Sequence, residues 1–264
     1  MISFPAINPV AFSLGPLHVH WYGLMYLLAF LSAWGLASWR TKHFHLHWTP
    51  EQISDLIFFA ALGVVVGGRL GYLVFYNTER FLHEPWLLFK LWEGGMSFHG
   101  GLLGVLAALG FFSWRNHKSF WEIADFTAPL VPLGLGAGRA GNFINGELWG
   151  RATDVPWAMI FPEADGIPRH PSQLYELGLE GIGLFILVWW YARKPRPKGT
   201  VSAVFLMGYA AVRILIECWR EPDVQRGFLA FGWLTEGQLL SIPMFIVGFL
   251  LWWVKRNENI PSTH

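Results

Sequence analysis

The fold class this sequence predicts is an all-α polytopic membrane protein with about seven transmembrane helices. Three observations predict it. Hydrophobic residues make up 53% of the chain and charged residues 14%, where soluble domains average about 25% charged; mean hydropathy is +0.37. Apolar windows long enough to span a bilayer recur along the chain. The 16 Trp and 22 Phe residues suit the aromatic belts of membrane interfaces.

Taken in order, the windows predict helices over 18–38, 54–76, 97–114, 123–140, 174–192, 199–219 and 238–254. Each falls in the spanning range of about 17–25 residues. Met1 to Gly15 holds no Lys or Arg. It lacks the charged start of a signal peptide, so the first window is expected to remain as a helix. Pro129 and Pro132 predict a kink in the fourth window, since proline removes a backbone donor and clashes with the preceding turn. The longest connection, 141–173, carries Asp154, Pro156, Trp157, Pro162, Pro168 and Pro171 and shows no obvious helix. Connections of that length are commonly functional. Residues 1–264 read as a single transmembrane domain with an external loop region at 141–173.

Charge in the connections predicts orientation. Arg40 and Lys42, Arg115 and Lys118, Arg193 to Lys198, and Lys255 and Arg256 follow the first, third, fifth and seventh windows. The alternate connections mix bases with acids: Glu79, Arg80, Glu84, Lys90 and Glu93, then Glu147 to Arg169, then Arg220 to Glu236. The positive-inside rule places the N-terminus outside and the C-terminus in the cytoplasm.

Several function classes are excluded. No basic patch of the kind nucleic acid requires is present, and the net charge is only +1. The single cysteine, Cys218, rules out an internal disulfide and reads as a small buried hydrophobe in an apolar span. Gly136-Ala-Gly-Arg-Ala-Gly141 fits a dinucleotide-binding pattern, but that pattern needs a preceding strand, and here a membrane-length apolar run precedes it. His43-x-His45-x-His47 reads as a solvated loop. No set of Cys, His and carboxylates has metal-ligand spacing, and no Gly-x-Ser-x-Gly elbow occurs, so neither metal nor cofactor is expected.

Polar residues within the windows fall at one depth. Arg139 lies in a Gly-rich run at the expected outer end of the fourth window, with Asn142, Asn145 and Glu147 after it. An arginine at bilayer depth costs about 2.5–3.5 kcal/mol to insert, which an anionic ligand would offset. Tyr22 opens the first window. Arg69, Tyr72 and Tyr76 lie in the outer half of the second, and His99 opens the third ahead of Gly100 and Gly101. Gln173, Tyr175 and Glu176 open the fifth. Arg213 falls roughly 9 Å below the outer edge of the sixth, on a stripe with Tyr209, Glu217 and Arg220. Guanidiniums gathered at one level favour phosphate, which arginine grips as a bidentate fork. At a leaflet surface that means a phospholipid headgroup, and a histidine beside it can move a proton near neutral pH. Glycine pairs in the second, third and fourth windows serve close helix packing or leave room for a lipid chain.

The chain resembles the bacterial prolipoprotein diacylglyceryl transferases. The resemblance rests on Trp21-Tyr-Gly23, Gly68-Arg-Leu-Gly71, His99-Gly-Gly101, Gly138-Arg-Ala-Gly-Asn-Phe-Ile-Asn-Gly-Glu147, Arg169-His-Pro-Ser-Gln-Leu-Tyr-Glu176 and Tyr209-x3-Arg213-x3-Glu217-x2-Arg220-Glu-Pro-Asp223. These blocks cover most of the chain in order. Ile214 and Cys218-Trp219 depart from the aromatic residues usual there. The resemblance implies a bacterial inner-membrane enzyme with its active site toward the periplasm. It would move the diacylglyceryl group of phosphatidylglycerol to the lipobox cysteine thiol of a prolipoprotein signal peptide and release glycerol phosphate. It implies Arg139 and Arg213 on the phosphate, Asn142 and Asn145 positioning the headgroup, and Tyr22 and Tyr209 orienting it. His99, or else Glu147, would take the thiol proton. Gly100 and Gly101 would lie along the substrate, with Arg69, Glu217 and Arg220 in support. The rival is an anion or lipid transporter with an outward-facing phosphate site. It predicts polar groups through the whole membrane depth, whereas the cytoplasmic halves of these windows read as mostly apolar.

Overall fold

The computed structural model describes residues 2–5, 7–222, 227, 229 and 234–258. In chain order its elements are strands β1 (Ile2–Ser3), β2 (Val10–Leu14) and β3 (Leu17–His20), then helices α1 (Trp21–His43), α2 (Pro50–Tyr76), α3 (Thr78–His83), α4 (Phe98–Arg115), α5 (Phe120–Thr127) and α6 (Val131–Asn145). Strand β4 (Met159–Ile160) follows, then α7 (Ser172–Glu176), a π-helical segment (Leu177–Gly183), α8 (Leu184–Tyr191), α9 (Thr200–Ile216) and α10 (Glu236–Lys255). Short 3₁₀ turns lie at Pro85–Phe89, Leu91–Glu93 and Ala128–Leu130.

The protein is mostly helical, as expected, and the described residues also form two small two-stranded sheets that the apolar windows did not announce. β2 and β3 form an antiparallel ribbon ahead of α1, and β1 pairs in parallel with β4 inside the long connection. Among the described residues, four helices are long and apolar enough to cross a membrane: Trp21–His43, Pro50–Tyr76, Ser172–Tyr191 and Glu236–Lys255. Thr200–Ile216 is a shorter apolar helix. Boundaries moved where local chemistry overrode hydropathy. β3 takes the residues before Trp21, so the first helix starts three residues late and runs to His43. Thr49 forms a capping box with Gln52, and Pro50 stands at the first helical position, so α2 begins earlier than its apolar run. Helix α9 stops at Ile216, short of the expected residue 219. Cys218, beyond that end, is exposed, which corrects its reading as a buried hydrophobe.

The chain divides into two compact units, Trp34–Ala124 and Met1–Ala33 with Asp125–His264. In the first, α2 and α4 run antiparallel with glycines at the crossing. A Cβ on Gly104 would overlap the Gly63 carbonyl, and one on Gly100 the Gly67 carbonyl. Helix–helix contact through small residues is how apolar helices associate without a hydrophobic drive. Gly100 thus serves this close packing, and Gly101 sits in ordinary contact with the Val64 carbonyl.

In the second unit the fourth window is broken where its prolines predicted. Helix α5 passes through the 3₁₀ turn Ala128–Leu130 into α6, and α6 extends five residues past the expected end at 140. Gly146, with φ +68°, closes it in the left-handed conformation that glycine tolerates. Gly136 of α6 meets Gly181 of the π segment, where a Cβ on Gly181 would lie 2.8 Å from the Gly136 Cα. Ala128, Leu184, Val188, Ala192 and Val201 form a buried apolar cluster behind that crossing. Helices α9 and α10 run antiparallel, and Asp125 caps the start of α9 by accepting from Gly199 N at 2.6 Å and Ser202 N at 2.8 Å.

Candidate active site

The Gly136–Gly181 crossing brings Arg139 of α6 onto two acids of the fifth span. Glu176 and Glu180 are both 0% exposed. Arg139 Nε lies 2.9 Å from Glu176 Oε2 and 3.4 Å from Glu180 Oε2. From the other side Arg213 of α9 places Nη1 3.1 Å from Glu176 Oε1 and 3.4 Å from Glu180 Oε1. Its Nη2 lies 2.6 Å from Glu217 Oε1, one turn along the chain. Arg220 completes the set, 3.6 Å from Glu217 and 3.9 Å from Glu176. A Cβ on Gly237, in the first turn of α10, would overlap the Glu217 carboxylate. That carboxylate thus lies at a helix N-terminus, where the macrodipole favours negative charge.

Among the described residues, three guanidiniums face three carboxylates here. Burying such charges is tolerable only because each is paired. The members differ in what they have left to offer. Arg213 is buried and donates to three acids. Arg139 is the most open, with its side chain 20% exposed. Its Nε and Nη2 face the acids, while Nη1 has no hydrogen-bond partner among the described residues.

A second polar group starts three residues further along α6. Asn142 Nδ2 donates to Glu147 Oε1 at 2.9 Å and Asn145 Nδ2 donates to the same oxygen at 3.2 Å. Gln173 Nε2 donates to the Glu147 carbonyl at 2.7 Å, tying the start of α7 to the end of α6. Glu147 itself is exposed. Two neutral amides hold its carboxylate, and no cation pairs with it among the described residues. The Tyr22 ring lies on Gly141, where a Cβ would come within 2.8 Å of Cδ2. Tyr209 lies within electrostatic range of Glu180, Arg213, Arg139 and Glu176.

The unit containing α6 thus unites Arg139, Arg213, Glu217, Arg220, Tyr209, Tyr22, Asn142, Asn145 and Glu147, drawn from α1, α6, α9 and the residues that directly follow α6 and α9. The remaining expected residues belong to the other unit. His99 is exposed at the start of α4. Arg69 is 2% exposed and spends its N–H groups on backbone carbonyls. Nε and Nη2 donate to Leu87 O at 3.1 and 2.8 Å, Nη2 also to Lys90 O at 2.8 Å, and Nη1 to Gly94 O and Gly95 O. That uses all five donors a guanidinium has. Arg69 is a strut for residues 87–95. Asp223 lies outside the described residues.

Hydropathy concealed Glu180, because it sits within an apolar window. A usable signal existed: two acids at i and i+4 in a span require cations nearby. The π segment around Glu180 had no sequence signal. Such bulges recur at functional sites.

The long connection is pinned over the end of α9. Arg151 donates from Nε to Arg220 O and from Nη2 to Glu217 O, both at 2.9 Å. Arg169 donates to Gly150 O at 3.1 Å and pairs with Glu221 at 3.0 Å and Asp165 at 2.6 Å. The Arg169 hydrogen bond holds the Asp165 carboxyl below the usual carboxylate range. Burial lowers His170 below its ordinary value, and its Nδ1 is 3.1 Å from the Tyr175 hydroxyl, which accepts from Trp157 Nε1 at 2.7 Å.

The family model described as prolipoprotein diacylglyceryl transferase matches residues 9–254. The chain belongs to the prolipoprotein diacylglyceryl transferase family. A phosphatidylglycerol–prolipoprotein diacylglyceryl transferase of Legionella pneumophila (strain Lens) is 66% identical over 256 residues, covering 97% of this chain and 100% of the relative. One so named from Coxiella burnetii (strain RSA 331 / Henzerling II) is 58% identical over 260 residues, covering 98% and 100%.

Proposed function

We propose that the chain moves the diacylglyceryl group of phosphatidylglycerol onto the lipobox cysteine thiol of a prolipoprotein signal peptide, releasing glycerol phosphate. Full-length family membership supports this transferase activity, a step of bacterial lipoprotein maturation. In this reading the chain crosses the bacterial inner membrane seven times, with the N-terminus outside, the C-terminus in the cytoplasm and the active site toward the periplasm. It acts as one catalytic domain, residues 1–264, with 141–173 outside.

The reaction is alkyl transfer. The substrate's sulfur attacks the glycerol carbon that bears the phosphate, the C–O bond breaks, and its electron pair leaves on the phosphate oxygen. The protein's tasks are to hold the phosphate, stabilise charge on the departing group and take the thiol proton. Arg139 holds the phosphate through Nη1, and Arg213 adds positive potential from behind while fixing Glu176 and Glu180. Those acids aim Arg139, and Glu217 and Arg220 complete their neutralisation. Asn142 and Asn145 position the headgroup together with the Glu147 carboxylate they hold, and Tyr22 and Tyr209 orient it by their hydroxyls. The proton acceptor is His99, with Glu147 as the competing assignment. The observation that carries the phosphate assignment is the Arg139 guanidinium, half engaged by buried acids and half unengaged.

The test is Arg139→Ala, assayed with labelled phosphatidylglycerol and a lipobox peptide. Losing a donor that stabilises developing charge costs on the order of 10²–10³-fold in rate, and transfer at the wild-type rate would remove Arg139 from the mechanism. Comparing His99→Asn with Glu147→Gln assigns the base. The variant that loses the alkaline-favoured limb of its pH–rate profile carries the group that accepts the proton.

A further inference from the structure

The basic segment Arg193-Lys-Pro-Arg-Pro-Lys198 between α8 and α9 has no part in the chemistry above. It lies at the far end of the fifth span. Tyr191 follows Glu176 by 15 residues, which at about 1.5 Å each puts it roughly 20 Å from the ion cluster along the helix. At that end a cavity of about 380 Å³ is lined by Tyr191, Arg196, Trp252, Arg256 and Glu258, among others. Its volume falls within the range of small-ligand sites, about 300–1,000 Å³.

Both arginines of this cavity lie on aromatic faces. The Arg196 Cζ is 4.1 Å from the Tyr191 ring centroid, and the Arg256 Cζ is 3.7 Å from Trp253 and 5.1 Å from Trp252. Stacking fixes the plane of a guanidinium and leaves its edge donors free to grip an anion. Arg196 spends Nε on Tyr191 O at 3.1 Å, and neither arginine pairs with a carboxylate among the described residues. Glu258, the acid at the rim, is taken by Lys255 at 2.6 Å. Arg193 and Lys194 add charge from the exposed segment alongside. Trp190, Trp253 and Val254 present exposed apolar surface at the same helix ends.

We infer that this cavity binds the phosphate of an anionic phospholipid, in the leaflet opposite the ion cluster, between Arg196 and Arg256. Two fixed cations without acid partners call for an anion. The apolar surface beside them, at the end of spanning helices, calls for one that carries acyl chains. Basic pockets between spans recognise lipid headgroups on these terms. The inference rests on the spans crossing a membrane and is independent of the transfer chemistry.

Native mass spectrometry of the full-length protein in detergent tests it. Cardiolipin serves as the anionic probe and phosphatidylcholine as the neutral control. Arg196→Gln with Arg256→Gln should weaken cardiolipin retention about thirtyfold, to the level of phosphatidylcholine. Arg193→Gln with Lys194→Gln removes equal charge outside the cavity and should stay within about twofold of wild type. Arg139→Gln should leave the cavity-dependent adduct in place, which separates this site from the headgroup site at the other face. Arg256→Lys keeps the charge but loses the stacked fork, and should show a partial loss even if the double variant does not fold. Three results would each overturn the inference: undiminished retention by the cavity variants, equal losses from both charge-removing pairs, or displacement of cardiolipin by inorganic phosphate at matched concentration.

Discussion

Arg69 in α2 and Arg213 in α9 are equally easy to see in the sequence and nearly equally buried, but their surroundings differ in kind. Arg69 is surrounded by neutral carbonyls from residues 87–95 and uses every donor on them. Arg213 faces Glu176, Glu180 and Glu217, shared with two other arginines. The first arrangement fixes a loop and is finished. The second stores charge whose balance a ligand can change, and it leaves Arg139 partly unspent at its edge. Burial of an arginine therefore does not mark a site by itself. What marks it is the count of donors remaining after the protein's own acceptors are served.

The widest separation should appear in stability. Arg213→Met leaves three acids facing two arginines, and breaking a buried network this way costs about 3–5 kcal/mol. Adding Glu180→Gln should recover part of that loss, because the surplus charge goes with it. Denaturant unfolding in detergent measures both. Equal stability of the single and double variants would mean that the acids relax into solvent and the network is not closed.

Lysine substitutions sharpen the contrast further. Arg139→Lys keeps the charge but loses the planar fork, so transfer should fall about tenfold to a hundredfold with little change in unfolding. Arg69→Lys should do the reverse. It leaves some of the carbonyls at 87–95 unsatisfied at about 1–3 kcal/mol, while activity per folded molecule drops far less. Matching activity losses would place Arg69 at the substrate.

Much of this site is legible because it is local. The Arg213–Glu217 pair and the Arg139 to Glu147 block follow from spacing along single helices. The break at Ala128–Leu130 follows from two prolines. What the sequence concealed depends on partners far along the chain. The glycines of α6 read as a helix end, but Gly136 is there to admit Gly181, and so the helix runs on to Asn145. Glu180 is invisible to hydropathy because one acid barely lowers the mean of an apolar window. Arg69 looks like Arg139 in sequence, since nothing local says that its acceptors are backbone carbonyls 18 to 26 residues ahead. The β2–β3 ribbon was hidden because its second strand, Leu17–His20, runs into the start of the first apolar window.

The smallest expected effect concerns the cap of the long connection, and its sign can be derived. The Tyr175 hydroxyl accepts from Trp157, so its own proton is free to go to His170 Nδ1, which requires that nitrogen to be unprotonated. Burial acts in the same direction by lowering the His170 pKa. The folded protein therefore holds fewer protons at this residue than the unfolded chain does. Stability from neutral His170 is complete above the ordinary histidine value of about 6.5 and is lost as pH falls through the lowered folded value. Asp165 does not confuse this window, because Arg169 keeps it ionised well below it. Thermal unfolding should thus show a slightly lower Tm at pH 5 than at pH 7.5, and His170→Gln should flatten that difference while Arg213→Met leaves it intact. A pH difference unchanged in His170→Gln would place the titrating group elsewhere and leave the Trp157–Tyr175–His170 chain as packing alone.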